Sequence, residues 1–280
     1  MPPNRSAWAT ATWSPGCGSP TSSPARCCTP RFSPLGRWHS VPATGSRDQP
    51  RAAFTRWGLP CRVRVDNGAP WGSTGELPTD LALWLIGLGV PIIWNPPRCP
   101  QANGVVERSQ GTGQRWAEPQ TCPDEAESRR RLEEQDHIQR ELYPRIKGLS
   151  RMAASPGLRH SGRDYRPEGE EAMWDLEPVL SHLAGYVSTR RVDSSGTVSL
   201  YNRSRYVGKG LGGRDVYISL DPLEVEWVDA ARDGTCYRRQ RAEELTAERV
   251  RNLEVSRHRE RNRTGRQNAL SGLPAEPVVA

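Results

Sequence analysis

One stretch of the chain alternates between strand-like and helix-like runs, and this order leaves few choices of fold. CRVRV (61–65) has the composition of a buried strand, and PIIWNPP (91–97) is a second short strand closed by prolines. Apolar residues follow a helical period in ELPTDLALWLIGLGV (76–90), and residues 101–116 form another helix-like run. Because strands that alternate with helices favour a largely parallel sheet, we expect an α/β domain, preceded by a helix that ends at Gly58.

Two carboxylates occupy informative places in this pattern. Asp66 ends the first strand, where open α/β sheets place their ligands, and Glu107 lies in the helix after the second strand. Asn103 precedes Glu107 by four residues and shares its helix face. Asp-Asn-Gly alone is ordinary turn chemistry, and a glutamate on a helix is usually solvated. Together, however, they match the needs of polynucleotidyl transferases, which hold two hard cations beside a phosphate with carboxylate oxygens.

The motifs around these carboxylates carry a family resemblance. Asp66-Asn67-Gly68 after a strand, followed by Pro-Gln-Ala-Asn-Gly-Val-Val-Glu-Arg (100–108), resembles the catalytic core of DDE-type transposases and integrases, the retroviral-integrase superfamily. That resemblance covers residues 52–118 and implies an RNase H-like fold. The later β-rich part, including VYISLDPLEVEW (216–227), resembles the small C-terminal barrel of bacterial insertion-sequence transposases and extends the match to residue 255.

The resemblance implies DNA transposition or integration by metal-dependent phosphoryl transfer, with two Mg²⁺ ions as cofactors. Asp66 and Glu107 would be the second and third catalytic carboxylates and the metal ligands. Asn103 and Asn67 would orient them, and Arg108 would contact DNA, with a plain surface charge as the alternative for Arg108. DNA is the implied partner, and a second copy of the chain would join it in a synaptic complex.

The first carboxylate of such a site has no counterpart in this sequence. Asp48 is the only acidic residue before Asp66, and it is too close because three strands must fit between the first two carboxylates. A metal pair held by two of three carboxylates binds weakly. We therefore expect a chain that is inactive as it stands, and a non-catalytic DNA-binding remnant is the alternative function.

Residues 1–50 differ in composition from the rest of the chain. They are crowded with Pro, Ser, Thr, Gly and Arg, contain scattered Trp and Cys, and show no helical or alternating period. Such a segment buries too little apolar surface to offset its ordering entropy, so we expect disorder. Natural disordered tails are poor in Trp and Cys, and this mixture is typical of a GC-rich gene translated in a wrong frame. A genuine low-complexity tail is the alternative.

The rest of the chain suggests three further parts. Short alternating runs between residues 179 and 240 are separated by turns such as DSSG (193–196) and RDGT (232–235), which is typical of a small antiparallel SH3-like barrel. The full prediction is an N-terminally incomplete α/β RNase H-like core (51–118), a helical linker (119–178), this small all-β barrel (179–240), and a basic C-terminal helix with a disordered tail (241–280).

Charge and composition bear on partners and location. The net charge is +7 and the isoelectric point about 9.3, which favours a polyanionic partner. Arg190, Arg191, Arg203 and Arg205 fall on the predicted barrel strands and make a candidate DNA-contacting face, with a solvated basic surface as the alternative. The mean hydropathy of −0.72, without a long apolar run, predicts no membrane partner. Seven cysteines without a CxxC pair point to a reducing cytosol. The resemblance to insertion-sequence transposases implies the bacterial cytoplasm and association with the nucleoid.

Gly208–Gly213 formally satisfies GxGxxG. A dinucleotide-binding fingerprint must join a strand to a helix, whereas this segment lies between two predicted strands. We therefore expect it to be a turn.

Overall fold

The computed structural model describes residues 11–14, 47–68, 71–72, 77–118 and 121–256. Its helices are α1 (Asp48–Trp57), α2 (Asp80–Gly87), α3 (Gly104–Ala117), α4 (Glu125–His137), α5 (Arg151–Ala154), α6 (Glu170–Met173), α7 (Glu177–Ala184) and α8 (Ala247–Asn252). Its strands are β1 (Ala11–Ser14), β2 (Arg62–Val65), β3 (Ile92–Trp94), β4 (Val187–Arg191), β5 (Thr197–Leu200), β6 (Arg203–Tyr206), β7 (Asp215–Asp221), β8 (Glu226–Ala230) and β9 (Cys236–Arg241).

The first sheet has the order β1-β2-β3. β2 and β3 run parallel, with Val63 opposite Ile92, which confirms the parallel pair predicted from the strand-helix-strand order. β1 pairs antiparallel with the other edge of β2, so that Ala11 faces Val65. Of residues 1–50, for which the sequence predicts disorder, the structure describes β1 and the start of α1. Residues 1–10 and 15–46 lie outside the described part of the chain.

The helices around this sheet follow from local sequence signals. α1 ends where predicted, since Gly58 adopts φ 75° and its N–H donates to the carbonyl of Phe54. The Thr79 hydroxyl caps α2 by accepting from the N–H of Ala82 at 3.3 Å. Every residue of α2 is buried, as expected for a helix that is apolar on all sides. A 3-10 turn, Pro100–Asn103, leads directly into α3.

Residues 151–178 are an integral part of the core, and the expectation of a linker is corrected here. Tyr165 and Trp174 are buried among the residues of α1 and α2. The Arg163 guanidinium donates to the carbonyls of Pro60 at 3.0 Å and Gly89 at 3.1 Å. These long-range contacts hold the segment against the first sheet.

A buried carboxylate joins three elements of this region. Glu170 in α6 forms an ion pair with Arg51 of α1 at 2.7 Å and accepts a hydrogen bond from the Trp84 indole of α2 at 3.0 Å. The Tyr165 hydroxyl also donates to it. Because all of these partners are themselves wholly or partly buried, the cluster fixes α1, α2 and α6 relative to one another.

The C-terminal half contains a four-stranded antiparallel sheet, β4-β7-β8-β9, and the antiparallel hairpin β5-β6. The predicted DSSG turn is built around Asp193, whose carboxylate accepts from the N–H groups of Ser195 and Thr197. Hydrogen bonds from the hydroxyls of these two residues hold the pKa of Asp193 well below its ordinary value. The glycine-rich segment at 208–213 lies between β6 and β7, as predicted for a turn. Closure of these strands into a barrel stays a prediction.

The two halves share one continuous core. Phe54 and Leu85 belong to the same buried apolar cluster as Trp227 and Val255. α2 packs against α7 and α8, and α7 packs against β7. The described residues therefore do not divide their apolar side chains between separate interiors, although their three sheets are distinct.

The end of the described chain is anchored to the first half. α8 is shorter than the predicted basic helix, because Leu253 leaves the helix with φ 59° and turns its side chain into the core. The N–H and hydroxyl of Ser256 then donate to the buried carboxylate of Asp80 at 3.1 and 2.7 Å. The predicted tail beyond residue 256 lies outside the described residues. Within the described ranges, no helix combines the length and apolarity needed to cross a bilayer.

Candidate functional site

Asp66 lies in the tight turn that follows β2. Its Oδ1 accepts a hydrogen bond from the N–H of Gly68 at 3.2 Å, and its side chain is half-buried. The parallel strand β3 ends beside it, so Asp66 stands at the carboxyl edge of the parallel pair, where the sequence placed it.

Asn67 anchors the turn that carries Asp66. Its side-chain amide donates to the carbonyl of Asn95 at 2.9 Å, and the N–H of Asn95 donates in turn to the carbonyl of Val65. These bonds join the ends of β2 and β3. The contact of Asn67 is thus with the backbone after β3, and through it Asn67 fixes the position of the Asp66 turn.

Glu107 and Arg108 lie in the first turns of α3, and both side chains are exposed. Asn103 is the last residue of the 3-10 turn before this helix. Its side chain, and with it the predicted contact to Glu107, lies outside the described part of the molecule. The helix that follows the second parallel strand therefore carries the second carboxylate, as predicted.

The donor set of the described residues does not fit a two-magnesium centre. A pair of Mg²⁺ ions needs bridging carboxylates and near-octahedral oxygen coordination. In the described ranges, no three or more His, Cys, Asp or Glu side chains come together in a way that could hold a metal ion. Asp66 and Glu107 are two candidate carboxylates, one fewer than the resemblance requires, and among the described residues they belong to no such cluster.

Arg190 and Arg191 lie on β4, at one edge of the four-stranded sheet. Arg191 is exposed, as a phosphate-contacting residue must be. Arg190 is half-buried and donates to the carbonyls of Ser199 at 3.3 Å and Thr189 at 2.9 Å. Of this pair, Arg191 is the better placed for an external anion.

Arg203 and Arg205 have internal roles, which corrects their assignment to the basic face. Arg203 donates to the carbonyls of Val255 at 2.9 Å and Glu254 at 3.0 Å, so its fork holds the segment after α8. Arg205 is only 8% exposed and lies 3.7 Å from the buried carboxylate of Glu244. Burial lowers the pKa of Arg205. Arg205 is thus buried inside the fold, and the partly buried guanidinium of Arg203 is engaged by backbone carbonyls of its own chain.

A cleft that the sequence did not reveal lies between the end of α3 and the π-helical turn Ile138–Leu142. Its volume is about 320 Å³, and it is lined by Thr112, Arg115, Trp116, Tyr143, Arg145 and Arg151 together with Gln139. The available signal was the pairing of aromatic residues with arginine in the sequences RW (115–116) and YPR (143–145). That signal was obscured because the surrounding residues have the mixed charges of a solvated helix.

No model of a known protein family matches this chain. The resemblance to transposases stays an expectation, and it depends on the motifs around Asp66 and Glu107.

Proposed function

We propose that this protein acts in DNA transposition or integration as a relative of DDE-type transposases, and that it binds DNA without a complete catalytic centre of its own. One observation carries the proposal. Asp66 follows β2, the parallel strand β3 comes next, and Glu107 opens α3. This is the order in which the resemblance places the second and third carboxylates of a DDE site.

The charge distribution supports DNA as the partner. The chain carries a net charge of +7, and β4 and β9 form the two outer edges of the four-stranded sheet. Arg191 on β4 and Arg241 on β9 are exposed at these edges. Arg108 is exposed on α3, directly after Glu107 in the sequence. Exposed arginines suit phosphate contacts because the guanidinium fork matches phosphate oxygens. A DNA-bound protein of this kind would reside at the nucleoid.

Binding is tested by fluorescence anisotropy with a labelled duplex over a range of salt concentrations. Each neutralised phosphate contributes a slope of roughly −0.9 to a plot of log Kobs against log salt concentration. We expect a clearly negative slope, reduced in an Arg191→Gln variant. Affinity that does not change with salt would reject DNA binding and favour a protein-interaction module.

Catalysis is tested by nicking of supercoiled plasmid in Mg²⁺ or Mn²⁺. We expect the wild-type protein, Asp66→Ala and Glu107→Gln to give the same background, because two carboxylates do not complete the site. Metal-dependent nicking that Asp66→Ala abolishes would contradict the incomplete centre. It would show that the missing first carboxylate comes from outside the described residues or from a second copy of the chain.

A further inference from the structure

The cleft at the end of α3 presents two exposed aromatic rings at its mouth. Trp116 is 47% exposed and Tyr143 is 46% exposed, with ring centroids 5.8 Å apart and planes inclined by 72°. On α3, the neighbouring Gly113 and Ala117 are buried where the helix packs against α4, whereas Trp116 is turned away from that contact. The exposed part of the Trp116 indole offers an apolar surface that suits a flat apolar ligand.

The local backbone holds these rings in place. Thr112, Arg115 and Trp116 have helical spacings of three and four residues, so they share one face of α3. The N–H of Tyr143 donates to the carbonyl of Ile138 at 2.8 Å, five residues back, which is the bond of a π-helical turn. Such turns are frequent at functional sites because they redirect a side chain.

The rest of the cleft is cationic. Arg115, Arg145 and Arg151 line it, and its described lining residues include no carboxylate. Arg115 and Arg145 are exposed, whereas Arg151 is largely buried beneath them. The ligand must therefore join a flat ring to an anionic group. A volume of about 320 Å³ lies at the lower end of the range for small-molecule sites, roughly 300–1,000 Å³, and suits a single unit of that kind.

We propose that this cleft binds one unpaired nucleotide of a single-stranded nucleic acid. Its base packs on Trp116 and Tyr143, and its phosphate contacts Arg115 and Arg145. Stacking on aromatic side chains beside a basic groove is the general way in which proteins hold single strands. The inference builds on the proposed DNA binding and adds a separate site. Arg108 lies one turn before Thr112 on α3, so the basic surface continues from the cleft toward Glu107.

The test compares two ligands of equal charge. A labelled oligothymidine of about eight nucleotides is titrated against the full chain by anisotropy, in parallel with an abasic oligonucleotide of the same length. Because only the first ligand has bases to stack, we expect the wild-type protein to prefer it by about tenfold or more. A duplex is titrated under the same conditions as a measure of the proposed DNA binding.

The variants separate the ring contacts from the charge contacts. Trp116→Ala and Tyr143→Ala should each remove most of the preference for bases and leave duplex affinity unchanged. Tyr237→Ala, which removes another exposed aromatic ring on β9, is the matched control and should keep the preference. Arg145→Gln should reduce the salt slope for the oligothymidine by about 0.7. Because the side chains of Trp116, Tyr143 and Tyr237 are 38–47% exposed and Arg145 is exposed, thermal melting should show that every variant is folded.

Several outcomes would overturn the proposal. Equal affinity for the normal and abasic strands means that the cleft recognises charge alone. Equal losses in Trp116→Ala and Tyr237→Ala mean that the ring contact is not located here. Displacement of the oligothymidine by thymidine monophosphate at similar concentration would identify a free nucleotide as the ligand, and displacement by poly-glutamate would identify an acidic peptide. If the duplex binds and the base preference is missing, only this inference fails; if no nucleic acid binds, the proposed function fails with it.

Discussion

Glu170 shows how a single residue holds several helices of this fold together. Its carboxylate accepts from Arg51 of α1, Trp84 of α2 and Tyr165. Burial raises the pKa of Glu170, but the hydrogen bonds from Arg51, Tyr165 and Trp84 outweigh burial and place it below its ordinary value of 4.5. The charged form is therefore the one that the fold stabilises.

Replacing Glu170 with glutamine should destabilise the fold by about 3 kcal/mol, because it leaves the partly buried Arg51 without its counter-charge. Chemical denaturation at neutral pH measures this change in the free energy of unfolding. Glu168→Gln, at an exposed position two residues earlier, is the matched control and should change stability by less than about 0.5 kcal/mol. Equal effects from the two substitutions would contradict the role of the buried cluster.

The same residue predicts a pH dependence. A carboxyl whose folded pKa lies below its unfolded pKa contributes stability above the unfolded value, and that stability is lost as the pH falls through the folded pKa. The free energy of unfolding should therefore fall more steeply below pH 4.5 in the wild-type protein than in Glu170→Gln. Parallel curves for the two proteins down to the acid transition would contradict the shifted pKa.

Arg203 and Arg191 form a pair of arginines with opposite expected behaviour. Arg203→Gln removes charged donors from the carbonyls of Glu254 and Val255 and should cost about 2 kcal/mol of stability, with little effect on the salt slope of DNA binding. Arg191→Gln should leave stability within about 0.5 kcal/mol and reduce the magnitude of that slope by about 0.9. Melting curves and salt titrations of both variants measure these effects. A loss of stability in Arg191→Gln together with a reduced salt slope in Arg203→Gln would contradict both assignments.

At the residue scale, the sequence predicted the place of a residue in a strand or helix better than it predicted the hydrogen-bond partners of its side chain. Asp66 and Glu107 lie where local patterns placed them, because a strand end and a helix start are local features. Arg203 and Arg205 fall on strands as expected, but their roles depend on Glu254 and on Gln240, which lie far along the chain. No local pattern in a single sequence identifies such partners.

At the scale of elements, α2 and the segment after α6 approach each other at Gly87. A Cβ atom added there would lie 2.1 Å from Cε2 of Trp174, and the indole N–H of Trp174 donates to the carbonyl of Trp84. The missing side chain thus makes room for a buried ring. Glycine fits at position 87 because the Trp174 ring fills the space of a side chain, although glycine has a low helix propensity.

Gly87→Ala should therefore destabilise the protein by more than 1 kcal/mol, roughly the overpacking cost of a crowded core. The matched control is Gly111→Ala in α3, where an added Cβ meets nothing within 4 Å. There the gain in helix propensity should stabilise the protein by up to about 1 kcal/mol. Thermal unfolding of the two variants checks the opposite signs, and a shift in the same direction would contradict the packing argument.

The elements themselves were predicted unevenly. β2, α2 and β3 were identified because their apolar residues follow clear periods and end at Gly and Pro. Residues 151–178 were mistaken for a linker, because Leu158, Tyr165 and Trp174 are buried without any regular spacing. Their burial depends on contacts with α1 and α2, and a periodicity argument does not detect contacts of that kind.

At the scale of the whole molecule, one apolar core joins the two halves of the chain. Trp84 of α2 and Trp227 of β8 are both fully buried in it. Sheets with a shared interior should unfold together, because exposing the core of one removes the cover of the others.

We therefore expect a single cooperative transition in denaturant, with tryptophan fluorescence and far-ultraviolet circular dichroism giving the same midpoint. The fluorescence reports on the buried indoles in both halves, and the dichroism reports on the helices and strands. Separate midpoints for the two signals would contradict the shared core and would indicate that the two halves unfold as independent domains.

The anchoring of Ser256 on Asp80 bears on how the protein is made. These residues are 176 positions apart, so a ribosome adding roughly 5–20 residues per second needs roughly 10–35 seconds to pass from one to the other. During that interval α2, whose residues are all buried in the folded protein, leaves the ribosome before α8, which packs against it, has been made. The nascent chain must therefore avoid aggregation through the exposed apolar residues of α2. The hydrogen bonds between Ser256 and Asp80 form only after residue 256 has left the exit tunnel.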